Sequence, residues 1–241
     1  MRLTRCFAET ILRPGYEVAL PESAAAHLVR VLRLREGDEC ILFNGDQFDY
    51  LAKITQIAKR EVRAKILNSS LLTNESPLRI VLVQGIARGE KMDWILQKAT
   101  ELGVAGFVPV HAERGEVRLD GERAEKRLRH WRSVVVSACE QSGRAHIPEV
   151  VAPRTLADAL TGLPAVRLLL DPEAAQQLPS RIVGDACAIA IGPEGGWSAT
   201  DIATLEAAGF IGARLGPRVL RTETAGIAAI AALQARAGDF A

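Results

Sequence analysis

The larger, C-terminal part of the chain alternates short apolar segments with helix-like ones, and this alternation limits the possible folds more than any other feature. The strand candidates are residues 79–84, 106–110, 166–170, 186–191 and 213–215. The helix candidates are residues 90–102, 122–142, 155–161, 198–208 and 222–236. Such alternation predicts a parallel sheet with helices on both faces. In sheets of this kind, ligands bind outside the carboxyl ends of the strands.

The N-terminal part of the chain has a different texture, with short β-like runs and turn signals. Its strand candidates are residues 39–43, 50–54 and 62–66. Asn44-Gly45 favours a tight turn because both residues tolerate positive φ, and the one helix candidate is residues 23–32. A polar break at residues 73–77 predicts a domain boundary. We therefore predict a small, mostly β domain at 1–72 and an α/β domain at 76–241.

Charge and cysteine content restrict the classes of function. The 30 Lys plus Arg residues nearly balance 29 Asp plus Glu, so a nucleic-acid surface must be a local patch. The four cysteines form no C-x-x-C pair, and the four histidines have no metal-ligand spacing. We expect buried, reduced thiols, no metal and a cytoplasmic protein. No stretch resembles a signal peptide or approaches the roughly 18 apolar residues of a membrane span, so we expect no membrane association.

The stretch IGPEGGWS, residues 191–198, follows an apolar strand candidate and holds three glycines around one carboxylate, that of Glu194. Ser198 is a suitable N-cap for the next helix, and Asp201 completes an approximate capping box. Glycines at the carboxyl edge of a sheet let a ligand approach the backbone closely. The loop lacks both the dinucleotide and the triphosphate spacing of glycines. A plain tight turn before a helix is the alternative.

Two further loops follow strand candidates. LGPRVLRTETA, residues 215–225, opens a helix whose segment 225–233 is apolar nearly all round, which predicts burial either in its own domain or against a partner. LDPE, residues 170–173, ends another apolar strand. Both loops are candidates for ligand contacts, because ligands bind at this edge of a parallel sheet.

Together, IGPEGGWS and LGPRVLRTETA resemble the SPOUT class of knotted methyltransferases. More narrowly they are similar to the RsmE-type family, which methylates N3 of a uridine in small-subunit ribosomal RNA. The similarity extends over nearly the whole chain, in the expected order. Further matching segments are residues 27–33 with 37–38, 97–104, 140–144 and 147–148. The chain departs from the family pattern at Glu113-Arg114-Gly115, where a serine is expected after the arginine, and at Gly89.

The resemblance implies a PUA-like, RNA-binding β-barrel domain followed by an α/β domain tied in a deep trefoil knot. The residues alone would predict an open doubly wound sheet, because true knots are rare. The resemblance also implies that S-adenosylmethionine binds bent within the knot. The residues that match its binding site are Leu170, Asp171, Pro172, Gly192, Pro193, Glu194, Gly195, Gly196, Leu215, Gly216, Val219 and Leu220.

The resemblance implies methylation of uridine N3 in 16S ribosomal RNA, on the assembled or nearly assembled small subunit, by a homodimer. N3 carries a proton and is a poor nucleophile until that proton leaves. Arg221 and Arg144 are candidates for stabilising the anionic uridine. Glu194 and Glu223 are candidates for accepting the proton or orienting an arginine. Structural alternatives are a helix N-terminal carboxylate for Glu194 and an Arg221–Glu223 ion pair.

Basic residues indicate where RNA would bind. The candidates are Arg2, Arg5, Arg30, Arg33, Arg114 and Arg144. Between residues 114 and 146 the basic side chains alternate with acidic ones, a pattern that is also typical of a solvated helix face. The uridine must leave its stack to reach the methyl donor.

Two other functions remain as alternatives. A SPOUT enzyme that methylates the ribose 2′-O would carry an asparagine- and serine-rich signature in place of RTETA, and this chain has RTETA at residues 221–225. An RNA-binding or ribosome-assembly factor with a vestigial pocket would have no reason to keep the loop glycines, Arg221 and Glu223. Calorimetry with S-adenosylmethionine separates a pure RNA binder from an enzyme.

Overall fold

The computed structural model describes residues 3–59 and 61–240. The chain divides into two compact units. The first unit takes in the chain up to Glu75 together with Cys139–Ile147, and the second takes in Ser76–Ala138 and everything from Pro148 onward. The first unit is therefore discontinuous in sequence, and a single boundary near residue 75 does not include Cys139–Ile147 in it.

The first unit contains a five-stranded sheet in the order β1-β3-β4-β5-β2. Its strands are β1 Arg5–Phe7, β2 Glu17–Ala19, β3 Glu39–Phe43, β4 Phe48–Ile57 and β5 Val62–Leu71. The β1–β3 pair is parallel and the other pairs are antiparallel. The Asn44-Gly45 turn joins β3 to β4, with Gly45 at φ +98. The mostly β character predicted for this part of the chain is confirmed.

A helical segment crosses from β2 towards β3. It starts as α1, Glu22–Ala25, and continues as a π-helical turn over Ala26–Val31, where the Leu32 N–H donates to His27 O five residues earlier. The predicted helix at 23–32 is therefore present, but most of it has the wider π geometry. Short π segments are often found at functional sites.

The second unit contains a seven-stranded sheet in which every observed pairing is parallel. Its strands are β6 Arg79–Gly85, β7 Gly106–His111, β8 Glu149–Val150, β9 Arg154–Thr155, β10 Val166–Leu170, β11 Ala186–Ile191 and β12 Ile211–Ala213. The order is β12-β10-β11-β6-β7-β8, and β9 also pairs with β7. The strand predicted at 213–215 is wrong in its bounds, because β12 ends at Ala213 and Gly216 adopts φ +73 in the turn beyond.

Helices cover both faces of this sheet. They are α2 Glu90–Glu101, α3 Gly121–Ser142, α4 Leu156–Ala159, α5 Ala199–Ala207 and α6 Thr222–Ala237. On one face, Ala188 and Ala190 of β11 share a core cluster with Leu156 and Leu205 of α4 and α5. The alternate residues of β11 are buried as well, and α6 packs against β11 and α2. A strand that is buried on both faces is expected of a doubly covered parallel sheet.

Helix α6 is buried along one side, at positions that include Gly226, Ala229, Ile230 and Leu233. Burial within a single chain therefore accounts for one side of α6, and small residues on the opposite side are partly exposed. All four cysteines are buried, as predicted. Burial raises the pKa of each thiol to about 12, so each stays protonated at neutral pH.

The strand order places a switch point between β6 and β11. From β6 the chain proceeds to β7 on one side, whereas β11, β10 and β12 lie on the other side. Crevices at the carboxyl ends of strands near such a point are the usual ligand sites of open α/β sheets. In the described part of the chain, no helix is both long and apolar enough to cross a membrane.

Candidate active site

A cavity of about 880 Å³ lies in the second unit, at the carboxyl ends of β10, β11 and β12. It is lined by the loops that follow these strands, namely residues 170–173, 191–197 and 215 with 218–223. Lys91 and Arg114 reach the cavity from other segments. Every residue that the sequence matched to a cofactor site lines the cavity, except Gly216. Three loops that are far apart in sequence therefore meet at one place, as ligand sites of such sheets require.

The glycine-rich loop is packed tightly on itself and on its neighbours. A Cβ at Gly192 would lie 3.1 Å from backbone atoms of Gly196 and Trp197, and one at Gly195 would lie 2.9 Å from Arg114 O. Gly196 adopts φ +68, and its N–H donates to Pro193 O at 2.9 Å. Close backbone packing therefore requires glycine at 192 and 195, and the positive φ favours glycine at 196, in addition to any approach of a ligand.

A complete capping box fixes the exit of this loop into α5. Ser198 Oγ accepts from the Asp201 N–H at 3.0 Å, and Asp201 Oδ2 accepts from the Ser198 N–H at 3.1 Å. The same carboxylate accepts the Glu113 N–H at 3.1 Å. Glu113 begins the segment where the sequence departs from the family pattern, so the buried Asp201 ties that segment to the loop.

Glu194 is held by the start of α2. Its Oε1 accepts from the Arg88 N–H and from Lys91 Nζ, each at 3.1 Å. Burial alone would raise the pKa of this carboxyl, but the backbone N–H groups of Glu194 and Arg88 and the Lys91 ammonium outweigh burial and lower the pKa. A carboxyl with a lowered pKa is a weaker base, so this placement disfavours Glu194 as a proton acceptor. The carboxylate lies near the N-terminus of α2 rather than of α5.

Arg221 and Glu223 lie at the start of α6, and both line the cavity. Arg221 is exposed, and within the described residues no ion pair joins it to Glu223. Glu223 Oε2 is buried and has no hydrogen-bond partner there, and the same is true of Trp197 Nε1. Buried polar atoms normally have partners. An acceptor and a donor that lack them beside a cavity fit a site completed by a polar ligand.

Arg144 lies outside this cavity and belongs to the first unit. Its guanidinium is buried and pairs with the Glu75 carboxylate, with Nε 3.0 Å from Oε1. Arg5 is buried too: it pairs with Asp49, donates from Nη1 to Cys139 O at 2.9 Å and lies over the Phe43 ring. These placements weigh against the catalytic role predicted for Arg144 and the RNA contacts predicted for Arg5 and Arg144, because both guanidinium groups are buried and paired with carboxylates.

The other predicted RNA-binding arginines have different surroundings. Arg30 and Arg33 are exposed beside the π-helical turn, and Arg33 adopts a left-handed backbone with φ +58. Arg114 is exposed at the cavity. Arg2 lies outside the described residues.

The cavity residues that the sequence did not single out include Lys91, Arg218 and Thr222. Arg218 and Thr222 lie inside the LGPRVLRTETA stretch, so the position of the loop was a sufficient signal for them. Lys91 is brought in by α2, more than a hundred residues before its partner Glu194, and the local sequence holds no sign of that contact. Lys98 and Glu101, within the matching segment 97–104, form an ion pair at 2.8 Å on α2, and neither residue lines the cavity.

Comparison with protein-family models gives two matches. Residues 74–234 match the RNA methyltransferase domain, and residues 20–67 match the RNA methyltransferase PUA domain. Among curated proteins, the chain is 34% identical over 244 residues to the ribosomal RNA small subunit methyltransferase E of Buchnera aphidicola, covering 99% of this chain and 98% of the relative. It is 30% identical to the protein of the same name from Bacillus subtilis, covering 86% of this chain and 85% of the relative.

Solved structures agree with these matches. A methyltransferase from Legionella pneumophila, determined with bound SAM, has a TM-score of 0.94 at 37% identity and covers 99% of this chain and 100% of its own. The ribosomal RNA small subunit methyltransferase E of Neisseria gonorrhoeae, bound to S-adenosyl methionine, has a TM-score of 0.91 at 40% identity, with both chains covered completely. The similarity therefore includes both units of the fold.

Proposed function

Because the chain belongs to the RNA methyltransferase family of the ribosomal RNA small subunit methyltransferase E proteins, we propose that it transfers a methyl group from S-adenosylmethionine to uridine N3 in 16S ribosomal RNA. The observation that supports this most strongly is the meeting of the loops 170–173, 191–197 and 215–223 around one cavity. Two structures similar over the whole chain hold S-adenosylmethionine.

The residues present fit this cofactor. A cavity of about 880 Å³ is within the range of cofactor sites. Backbone groups of the glycine-rich loop and of residues 215–220 would hold the adenosine and the methionine part, and the buried Glu223 Oε2 and Trp197 Nε1 offer hydrogen bonds that the protein leaves unused. When bound, S-adenosylmethionine supplies an electrophilic methyl group on a sulfonium cation.

The chain's own residues meet the other demands of the reaction. The exposed guanidinium of Arg221, at the cavity, would stabilise the negative charge that develops on the uridine oxygens as N3 loses its proton. Closure of the cavity around both reactants would exclude water and favour a reaction that neutralises charge. Alignment of the reactants contributes up to about 7–11 kcal/mol in favourable cases.

Glu223 is the better candidate for the N3 proton. Its Oε2 is unpartnered at the cavity, whereas Glu194 is already bound by Lys91 and the Arg88 N–H and has a lowered pKa. Glu194 then has the role of holding the glycine-rich loop against α2. Arg221 and Glu223 act on the uridine, and Glu194 acts on the loop.

We extend the proposal to the partner RNA and the assembly. The exposed Arg30 and Arg33 beside the π-helical turn would contact RNA phosphates from the first unit, which matches the PUA model, and Arg114 would do so at the cavity. We also propose the trefoil knot, a homodimer and the small ribosomal subunit as the substrate particle, which the resemblance implies. A cytoplasmic location is proposed from the buried, free cysteines.

The test is mass mapping of methylated nucleosides after incubating the protein and S-adenosylmethionine with unmodified small subunits. We expect one new 3-methyluridine in 16S ribosomal RNA. A product methylated on the ribose would reject the N3 assignment. Calorimetry with S-adenosylmethionine alone separates the enzyme from a pure RNA binder, which would give no heat of binding.

A further inference from the structure

Gln84 lies near the end of β6, next to the glycine-rich loop, and is completely buried. Its Nε2 donates to Gly85 O at 2.9 Å and to Thr222 Oγ1 at 3.0 Å, with a longer contact of 3.5 Å to Ile191 O. Backbone carbonyls only accept hydrogen bonds, so the NH₂ end of the amide must face them. The opposite end, Oε1, is buried without a partner in the described part of the chain.

Thr222 passes this hydrogen bond on to the loop. Since its hydroxyl accepts from Gln84 Nε2, its own hydrogen is free to point at Gly192 O, 2.6 Å away. The bonds therefore run in one direction, from Gln84 through Thr222 to Gly192, and bonds in such a chain strengthen one another. Gly192 is the first residue after β11 and Thr222 is the first of α6. These two hydrogen bonds thus hold the start of the glycine-rich loop against the first turn of α6, which carries Glu223.

Gly85 brings β6 against the same loop. A Cβ at this position would lie 2.5 Å from Pro193 Cδ and 2.6 Å from Pro193 N. The loop is therefore held by backbone contact on one side and by the hydrogen-bond chain on another. A buried amide oxygen without a partner destabilises a fold, and an apolar side chain of similar size would avoid this loss. The hydrogen bonds that Gln84 Nε2 donates to Gly85 O and Thr222 Oγ1 offset this loss of stability.

We infer, on the premise of the proposed function, that Gln84 and Thr222 are positioning residues for S-adenosylmethionine binding. They act through the backbone of Gly192, by holding the glycine-rich loop and the first turn of α6 in register with each other before the methyl donor arrives. A preorganised loop loses less conformational entropy on binding, so its affinity for the donor is higher.

The first experiment is calorimetry of the full-length protein with S-adenosylmethionine. Thr222→Val removes the hydroxyl that makes both bonds, and we expect the Kd for the donor to rise about five- to tenfold. Thr222→Ser keeps a hydroxyl and is expected to restore most of the affinity. Thr100→Val is the matched control: it removes another fully buried threonine hydroxyl, which donates to Leu96 O at 2.7 Å outside the cavity lining, and it should lower Tm without changing Kd.

A second variant tests the coupling. Gln84→Leu leaves the Thr222–Gly192 bond in place, so we expect a smaller rise in Kd of about threefold, with little further rise when it is added to Thr222→Val. Hydrogen exchange of the peptide 191–197 without donor should be faster in both single variants and unchanged in Thr100→Val. If Thr222→Val does not fold, the Kd and exchange measurements on Gln84→Leu still decide the matter.

The failure of this inference and the failure of the proposed function look different. If Thr222→Val and Gln84→Leu bind the donor as wild type does, with loop exchange unchanged, the positioning role is rejected and the proposed function stands. If the wild-type protein itself binds no S-adenosylmethionine and forms no methyluridine, the proposed function is rejected, and the positioning role with it.

Discussion

Two arginines of the first unit and two of the second have opposite surroundings. In the first unit, Arg5 and Arg144 are buried, and each guanidinium is paired with a carboxylate. In the second unit, Arg218 and Arg221 are exposed at the cavity, and no ion pair to either is present among the residues that the structure describes. Removal of a paired, buried arginine leaves a carboxylate without its partner, whereas an unpaired arginine beside a cavity remains available to a ligand. The presence or absence of a carboxylate partner separates the two roles, and the local sequence around each arginine does not.

The largest effect is expected when the unpaired Arg221 is removed. We expect Arg221→Ala to lower single-turnover methyl transfer about 10²–10³-fold, because a preorganised positive charge at the developing anion is lost. The Kd for S-adenosylmethionine should stay within about threefold of wild type. Arg181→Ala, at an exposed arginine outside the cavity lining, is the control. Unchanged turnover with donor bound would remove Arg221 from the catalytic set.

Removing a paired arginine should affect the fold instead of the chemistry. Arg144→Ala leaves the Glu75 carboxylate without its partner, and we expect it to lower the free energy of unfolding by about 2–4 kcal/mol. Arg129→Ala is the matched control at the exposed Arg129–Glu125 pair, where a change within about 0.5 kcal/mol is expected. Urea denaturation measures both. An unaltered stability for Arg144→Ala, together with slower methyl transfer, would restore the catalytic role.

Within the second unit, the two carboxylates at the cavity, Glu223 and Glu194, also differ in whether they have a partner. Glu223→Gln removes the proposed proton acceptor while keeping the shape of the side chain, and we expect methyl transfer to fall about 10- to 100-fold. The decrease should be smaller at high pH, where uridine loses its N3 proton without help. Glu206→Gln on the exposed face of α5 controls for the loss of one negative charge. Equal decreases at all pH values would contradict a role in proton removal.

The smallest effect, a change in stability, is expected at Glu194, the carboxylate of the glycine-rich loop that pairs with Lys91. The pKa of Glu194 is lowered from 4.5 in the folded protein, so its ionised form contributes stability that is present above about pH 4.5 and is lost as the pH falls through the lowered value. Glu194→Gln should therefore be less stable than wild type by about 0.5–1 kcal/mol at neutral pH. The difference should shrink in acid. A constant difference in Tm from pH 3 to pH 7 would show that the charge of Glu194 is not what holds the loop.

Most of the second sheet was predictable because its signals are local. Strand β10 at 166–170 and β11 at 186–191 have the predicted bounds, and the capping box of Ser198 and Asp201 is complete. Short strands such as β1, β2, β8 and β9 were missed, because two or three residues cannot show a period. Their pairing depends on neighbours far away in sequence.

In the candidate site, too, the positions of the loops were predictable and the partners of individual side chains were not. The positions of the three loops followed from strand ends, so nearly all cavity residues were anticipated. The surroundings of Arg144 and Glu194 could not be anticipated. Arg144 pairs with Glu75, 69 residues away in the chain, and Glu194 pairs with Lys91, 103 residues away. A side chain's pKa and availability are set by such long-range partners, and no local pattern records them.

The first unit is built from two separate segments of the chain, because Cys139–Ile147 packs with the residues up to Glu75. Arg5 uses backbone carbonyls of Cys139 and Arg144, and Phe7 N–H uses the Glu140 carboxylate. A gene fragment ending at Glu75 would encode Arg5 without the backbone carbonyls of Cys139 and Arg144 that accept its hydrogen bonds. The first unit is therefore not encoded by one continuous segment of the gene, and recombination would have to transfer both segments together. Expressed alone, residues 1–75 should give an insoluble or unfolded product.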